Sequence, residues 1–216
     1  MRKYVAIIGD LVDSKRILNR KTVQQKLKQA LTNINEKYAP DIAAKFTITL
    51  GDEFQGLLNN KSKIIQIINE LEIAMLPNET RFGIGIGDIS TEIIFDNSSE
   101  IDGSAYHRAR KMIETIEQRK SQYPKIDSHI MICTNDTPSS IDDLINSTFT
   151  VCTALKSKWT ERQKEIIQAY FVNEQNQYKT ASALGIGQPS VNKALNNAKF
   201  YAYLSAIKTV NSFLNQ

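Results

Sequence analysis

The sequence predicts an α+β protein: a ferredoxin-like antiparallel sheet with helices over residues 1–137, followed by a small all-α domain over 138–216. Three observations predict it. Short β-branched runs alternate with amphipathic helical patterns in the order β-α-β-β-α-β-α-β as far as residue 134. From Trp159 onward every segment reads as helix or tight turn. Charge divides along the same line: residues 156–216 hold eight Lys and Arg against three Glu, and the rest of the chain is nearly neutral.

The elements follow in order. Residues 3–9 (KYVAIIG) are a short β-branched strand ended by glycine. Val23, Leu27, Leu31, Ile34 and Tyr38 recur every three or four residues and place a helix over 20–37. IAAKFTITL (42–50) alternates, Gly51-Asp52 turns, and EFQGLL (53–58) returns as a hairpin. Ile64, Ile67, Ile68, Leu71 and Met75 mark a helix over 61–75. TRFGIGIG (80–87) is a strand, expected to pair with TEIIF (91–95) across Gly87–Ser90. A helix runs over 104–119, and SHIMICT (128–134) is the last strand. Ser139 and Ser140 cap a helix over 140–158.

Composition narrows the function classes. The chain has 216 residues, 41% hydrophobic and 23% charged, with a net charge of +4. That excludes disorder as the main state. No run approaches the ~20 apolar residues of a membrane span, so no membrane partner is expected. Asp10 breaks the first apolar run before it reaches the length of a signal-peptide core. Cys133 and Cys152 sit in apolar settings and read as reduced core thiols, so a cytoplasmic location is expected. No CxxC or Cys/His cluster suggests structural zinc.

Topology points to one pair of carboxylates. A right-handed crossover makes the first two strands parallel, and the third fits between them, antiparallel. The end of strand one (Asp10) and the hairpin turn (Asp52) then share one sheet edge. Two converging carboxylates repel unless a cation or proton intervenes, and the natural cation for oxygen ligands is Mg²⁺. Asp13 and Glu53 are further candidate ligands. Two unrelated turn aspartates would give the same spacing.

DLV at 10–12 resembles the D-I-V of class III nucleotidyl cyclases, and LGDEF at 50–54 resembles the GGDEF signature of diguanylate cyclases. RFGIGIG resembles the cyclase strand that follows, and DGSAYHRARKMIE (102–114) the cyclase helix G-x-x-V-N-x-A-x-R-L. The resemblance covers about residues 3–134. It implies a nucleotidyl-cyclase-like fold, Mg²⁺ or Mn²⁺ at Asp10 and Asp52, and a phosphate-stabilising role for Arg110. Tyr106 stands where cyclases carry asparagine, Ile48 where they carry the purine-reading lysine, and Leu50 at the first glycine of GGDEF. His107 is a candidate base or phosphate donor on the same helix. Across IIGDLVDSK, ITLGDEFQGLL, RFGIGIG, AYHRAR and the helical C-terminus, the chain is similar to the SatD family of bacterial proteins.

The C-terminal segment carries a second motif. In YKTASALGIGQPSVNKAL, Ala181, Ala183 and Leu184 let two helices approach, Gly185 supplies a left-handed turn, and Pro189 enters the second helix. This is the helix-turn-helix pattern, at about 178–198. Gln188, Ser190, Asn192, Lys193, Asn196 and Asn197 are left facing outward as candidate base and backbone contacts. Lys179 and Lys199 are candidate phosphate contacts. The expected function is a DNA-binding transcriptional regulator with a cyclase-like metal- and nucleotide-binding sensor domain. Its expected partners are double-stranded DNA, a nucleotide or phosphorylated small molecule, and a second copy in a homodimer. The alternatives are a metal-dependent nucleotidyl cyclase or related phosphoryl-transfer enzyme using Asp10 and Asp52, and a protein-interaction module.

Overall fold

The computed structural model describes residues 2–122 and 127–215. Its mixed α+β chain runs β1 (Tyr4–Leu11), α1 (Arg20–Lys37), β2 (Ile42–Leu50), β3 (Glu53–Leu58), α2 (Ile64–Met75), β4 (Thr80–Gly87), α3 (Ser104–Gln122) and β5 (Ile130–Cys133). Five helices follow: α4 (Ser140–Lys156), α5 (Glu161–Val172), α6 (Gln177–Leu184), α7 (Gln188–Asn197) and α8 (Phe200–Leu214).

The sheet order is β2-β3-β1-β4-β5. β3 lies between β1 and β2 and is antiparallel to both, as the crossover argument requires. β4 is antiparallel to β1, and β5 runs parallel beside β4. Alternation along β1 divides its side chains between the two faces. Val5 and Ile7 join a core with α1 and α2, while Ala6 and Ile8 meet Ala105, Tyr106 and Ala109 of α3 on the other face.

The TRFGIGIG pattern has a steric cause. Phe82, Ile84 and Ile86 enter the larger core. Gly83 and Gly85 lie under α3, where a Cβ would stand 2.2 Å from the Ala109 carbonyl oxygen and 2.0 Å from that of Ala105. Helix backbone rests directly on strand backbone there, so no larger residue fits.

Residues 91–95, expected as a strand, form none. β4 already pairs with β1 on one edge and β5 on the other, so it has no edge left for them. The segment is instead a loop, pinned where the Lys45 N–H donates to the Phe95 carbonyl and the Asp102 N–H to Thr91 Oγ1. Three helix ends also move. The helix expected from 61 starts at Ile64, the one expected to reach 119 continues to Gln122, and the one expected to 158 ends at Lys156.

Ile145, Trp159, Ile167, Phe200, Tyr203 and Ile207 belong to the same buried cluster as Ile7, Phe82 and the α2 isoleucines, so the boundary expected at 137–138 does not divide the core. Polar ties reinforce the junction. Lys156 of α4 pairs with the buried carboxylate of Glu72 in α2, and Tyr203 Oη donates to the same carboxylate at 3.3 Å. Trp159 Nε1 donates to the Ala198 carbonyl at 2.8 Å. Cys133 and Cys152 are free and buried. No helix among the described residues is long and apolar enough to cross a membrane.

Candidate functional site

A cleft of about 670 Å³ opens where the end of β1, the β2–β3 turn, the start of β4 and the end of α3 meet. The sheet brings Asp10, Asp13, Asp52 and Glu53 to it, as topology predicts for Asp10 and Asp52. Asp10 sits opposite Arg81 in the β1–β4 register. Arg81 Nε donates to Asp10 Oδ1 at 2.7 Å and Nη2 to Oδ2 at 2.8 Å, a bidentate pair that uses both carboxylate oxygens. Both side chains are largely buried, and Arg81 also reaches Glu117 of α3 at 3.2 Å. Burial pushes the Asp10 carboxyl above its ordinary value, with the Arg81 hydrogen bond opposing.

The other carboxylates are also engaged. Arg110 Nη1 and Nη2 donate to the two oxygens of Glu53 at 2.5 and 2.9 Å, and Thr49 Oγ1 adds a third hydrogen bond. The Arg110 hydrogen bonds hold Glu53 below its ordinary value. Asp52 accepts from the Leu11 N–H at 3.3 Å and lies 3.7 Å from Arg20. Asp13, in a left-handed conformation with φ 50°, lies 3.7 Å from Lys120.

Each carboxylate expected to hold Mg²⁺ or Mn²⁺ stands beside a cation of the chain itself. Among the described residues no group of three or more His, Cys, Asp or Glu surrounds one position. Guanidinium groups stand where a hard cation would draw its oxygens. Asp10 and Asp52 do share a cleft, but arginines neutralise them.

The two histidine and arginine candidates of α3 separate. Arg110 reaches the cleft's rim through Glu53. His107 does not: it sits in the first turn of α3, at the opposite end of the helix from Glu117, exposed and 2.8 Å from Asp102. Arg108 points the other way from Arg110, as their two-residue spacing requires. It is a buried strut, donating to the Ile86 and Thr134 carbonyls and bidentately to Asp136.

The second candidate surface is α6–turn–α7. Gly185 ends α6 at φ 62°, and the Ile186 N–H returns to the Ala181 carbonyl at 3.0 Å, closing the turn. Pro189 lies in the first turn of α7. Val191 and Leu195 are fully buried, which leaves Ser190, Asn192, Lys193, Asn196 and Asn197 exposed and Gln188 half-buried. Lys193 and Lys199 enter no ion pair among the described residues. Lys179 does, with Glu174. Upstream, Thr160 and Gln163 complete a capping box that starts α5, against which α6 and α7 pack.

The family match is decisive for membership: the SatD family model covers residues 4–214. The chain belongs to the SatD family. No curated protein matches this SatD-family chain. Among solved structures, one bacterial light-regulated adenylyl cyclase is similar over 60% of this chain and 74% of its own, at 13% identity and TM-score 0.42. A second is similar over 60% and 42%, at 15% identity and TM-score 0.41, so the chain spans under half of that protein. A regulator of polyketide synthase expression from Bifidobacterium adolescentis is similar over 100% and 88%, at 9% identity and TM-score 0.27.

Two residues of the SatD-family protein escaped sequence reasoning. Arg81 reads as one more strand position until the β1–β4 register sets it opposite Asp10. Its only signal is a long cation at the second position of a largely apolar, glycine-rich strand. Gln177 reads as loop polarity, yet it hydrogen-bonds both Gln188 and Tyr201.

Proposed function

We propose that this SatD-family protein is a DNA-binding transcriptional regulator, with α7 as the helix that enters the major groove. The observation that carries this is the division of α7: Val191 and Leu195 lock it to the core while Ser190, Asn192, Lys193, Asn196 and Asn197 face solvent. These are short hydrogen-bonding side chains and one unpaired cation, the chemistry of base edges and phosphates. The net positive charge of residues 156–216 supports the same surface through counterion release.

In this reading the sheet-edge cleft is the regulatory end, where a nucleotide or phosphorylated molecule meets Lys15, Arg16 and Lys120. This reading places a route toward α7 at the start of β4 and the residue before it. Arg81 closes the cleft, and Glu79, two residues before it, lies 3.7 Å from Lys164 of α5, which packs on α6 and α7. The enzyme reading has less support, since of the two carboxylates it needs as metal ligands Asp10 is held bidentately by Arg81 and Asp52 lies 3.7 Å from Arg20.

The test is fluorescence anisotropy of a labelled mixed-sequence duplex with the full chain and with Asn192→Ala/Lys193→Ala. The reading expects binding by the full chain at low salt and clear weakening in the double variant. A full chain that leaves the duplex free at low salt overturns it.

A further inference from the structure

The exposed amides of the helix-turn-helix are not equivalent, and their hydrogen bonds distinguish them. Gln177 is the first residue of α6 and Gln188 the first of α7. Gln188 Nε2 donates to Gln177 Oε1 at 2.5 Å. The Nε2 of Gln177 in turn donates to Tyr201 Oη at 2.8 Å and, more weakly, to Asn192 Oδ1 at 3.4 Å. An amide has two N–H hydrogens and one carbonyl, and in Gln177 all three are in use. Gln177 is therefore fixed in orientation, and it fixes the Gln188 amide through its carbonyl.

We infer that Gln188, held by Gln177, reads adenine in the major groove, an inference that rests on the DNA-binding reading above. One Nε2 hydrogen of Gln188 is committed to Gln177. The other hydrogen and Oε1 have no protein partner among the described residues. With the hydrogen anti to Oε1 given to Gln177, the other hydrogen and Oε1 present one donor beside one acceptor on a planar edge. Adenine offers the complement, the N7 acceptor beside the N6 amino donor. Guanine offers two acceptors, N7 and O6, so Oε1 would face O6 with no hydrogen between them. Gln188 also stands at the N-terminus of the second helix, where recognition helices present their base contacts.

The same bonding removes Asn192 from that role. Its Oδ1 accepts from Asn196 Nδ2 at 3.1 Å as well as from Gln177. Asn192 therefore turns only donors outward, which suits phosphate or a purely acceptor edge and not adenine. Gln177 is a positioning residue: it touches Gln188 and orients it.

The test is selection of duplexes from a randomised pool by the full chain, followed by sequencing, for wild type and four variants. Wild type is expected to enrich a site with a fixed adenine. Gln188→Ala loses the preference at that position and keeps the others. Gln188→Arg converts it to guanine, because arginine pairs bidentately with N7 and O6. Gln177→Ala flattens the same position without changing the salt dependence of binding, and Asn192→Ala weakens binding while the adenine stays. On single duplexes differing at that base, wild type prefers adenine by about tenfold or more, and Gln188→Ala loses that preference. An adenine that persists in Gln188→Ala, or salt-dependent binding with no Gln188-dependent adenine, overturns the inference and leaves the DNA reading standing. A pool that yields no enrichment, with no salt-dependent duplex binding, overturns both.

Discussion

At the sheet edge Arg81, Arg110 and Arg20 each face a carboxylate. On α7 and its C-terminal flank, Lys193 and Lys199 face none among the described residues. At the sheet edge the carboxylates have their charge matched by arginines of the chain, whereas on α7 and its flank the cations are left to a partner. The difference teaches where each can act. A cation seeking the paired carboxylates of the cleft must displace a guanidinium, which costs several kcal/mol unless the cation replaces that charge. A polyanion meeting α7 displaces only water and counterions.

The largest test of this contrast asks whether the regions are one folding unit. Phe200 is fully buried and packs against Trp159, Tyr170, Phe171 and Tyr203. Phe200→Ala is expected to cost about 3–5 kcal/mol in denaturant unfolding. Because one cluster spans sheet and helices, Trp159 fluorescence and far-ultraviolet circular dichroism should report a single shared transition. Two separate transitions would break the account at residues 137–138.

Next is the internal pairing itself. Asp10→Ala strands Arg81 beside Glu117 alone and is expected to cost about 3 kcal/mol. Lys193→Ala, on the open surface, should stay within about 0.5 kcal/mol. Equal effects in thermal unfolding would erase the distinction. Binding should reverse that ranking. Lys193→Ala and Lys199→Ala should each lower the slope of log affinity against log salt by about one, while Asp10→Asn leaves the slope unchanged.

The smallest effect is a pH dependence of opposite sign in two neighbouring carboxylates. Glu53 lies below its ordinary 4.5, so its contribution to stability is present above that pH and is lost as pH falls through the lower folded value. Asp10 lies above its ordinary 3.8, so its contribution is present below that pH and is lost as pH rises through the folded value. Carboxyl NMR titration should show Arg110→Gln moving Glu53 up toward 4.5, with less than about 1 kcal/mol of stability involved because Arg110 is part-exposed. An unmoved Glu53 would mean that Arg110 does not set it.

The fold was largely legible because its patterns are local. Val23 to Tyr38, the 42–58 hairpin and the glycine turn at Gly185 are each legible within one short stretch of sequence. The convergence of Asp10 and Asp52 was also legible, since the crossover rule fixes which strand ends share an edge. What closes the cleft was not. Arg81 becomes a partner only through a register between strands some 70 residues apart, which no local pattern encodes. The 91–95 segment failed for a related reason: it has strand composition, but whether β4 has a free edge depends on β5, much later in the chain. The outward set of α7 was readable from helical spacing, whereas the inequality of Gln188 and Asn192 lies in Gln177 and Tyr201, outside that helix.

Amide hydrogen exchange of the full chain, with and without a mixed-sequence duplex, tests the central contrast directly. The account predicts new protection in α6, the Gly185 turn and α7, and unchanged exchange around Asp10, Asp52 and Arg81. Protection at the cleft with α7 unchanged, or no protection anywhere at low salt, would contradict it.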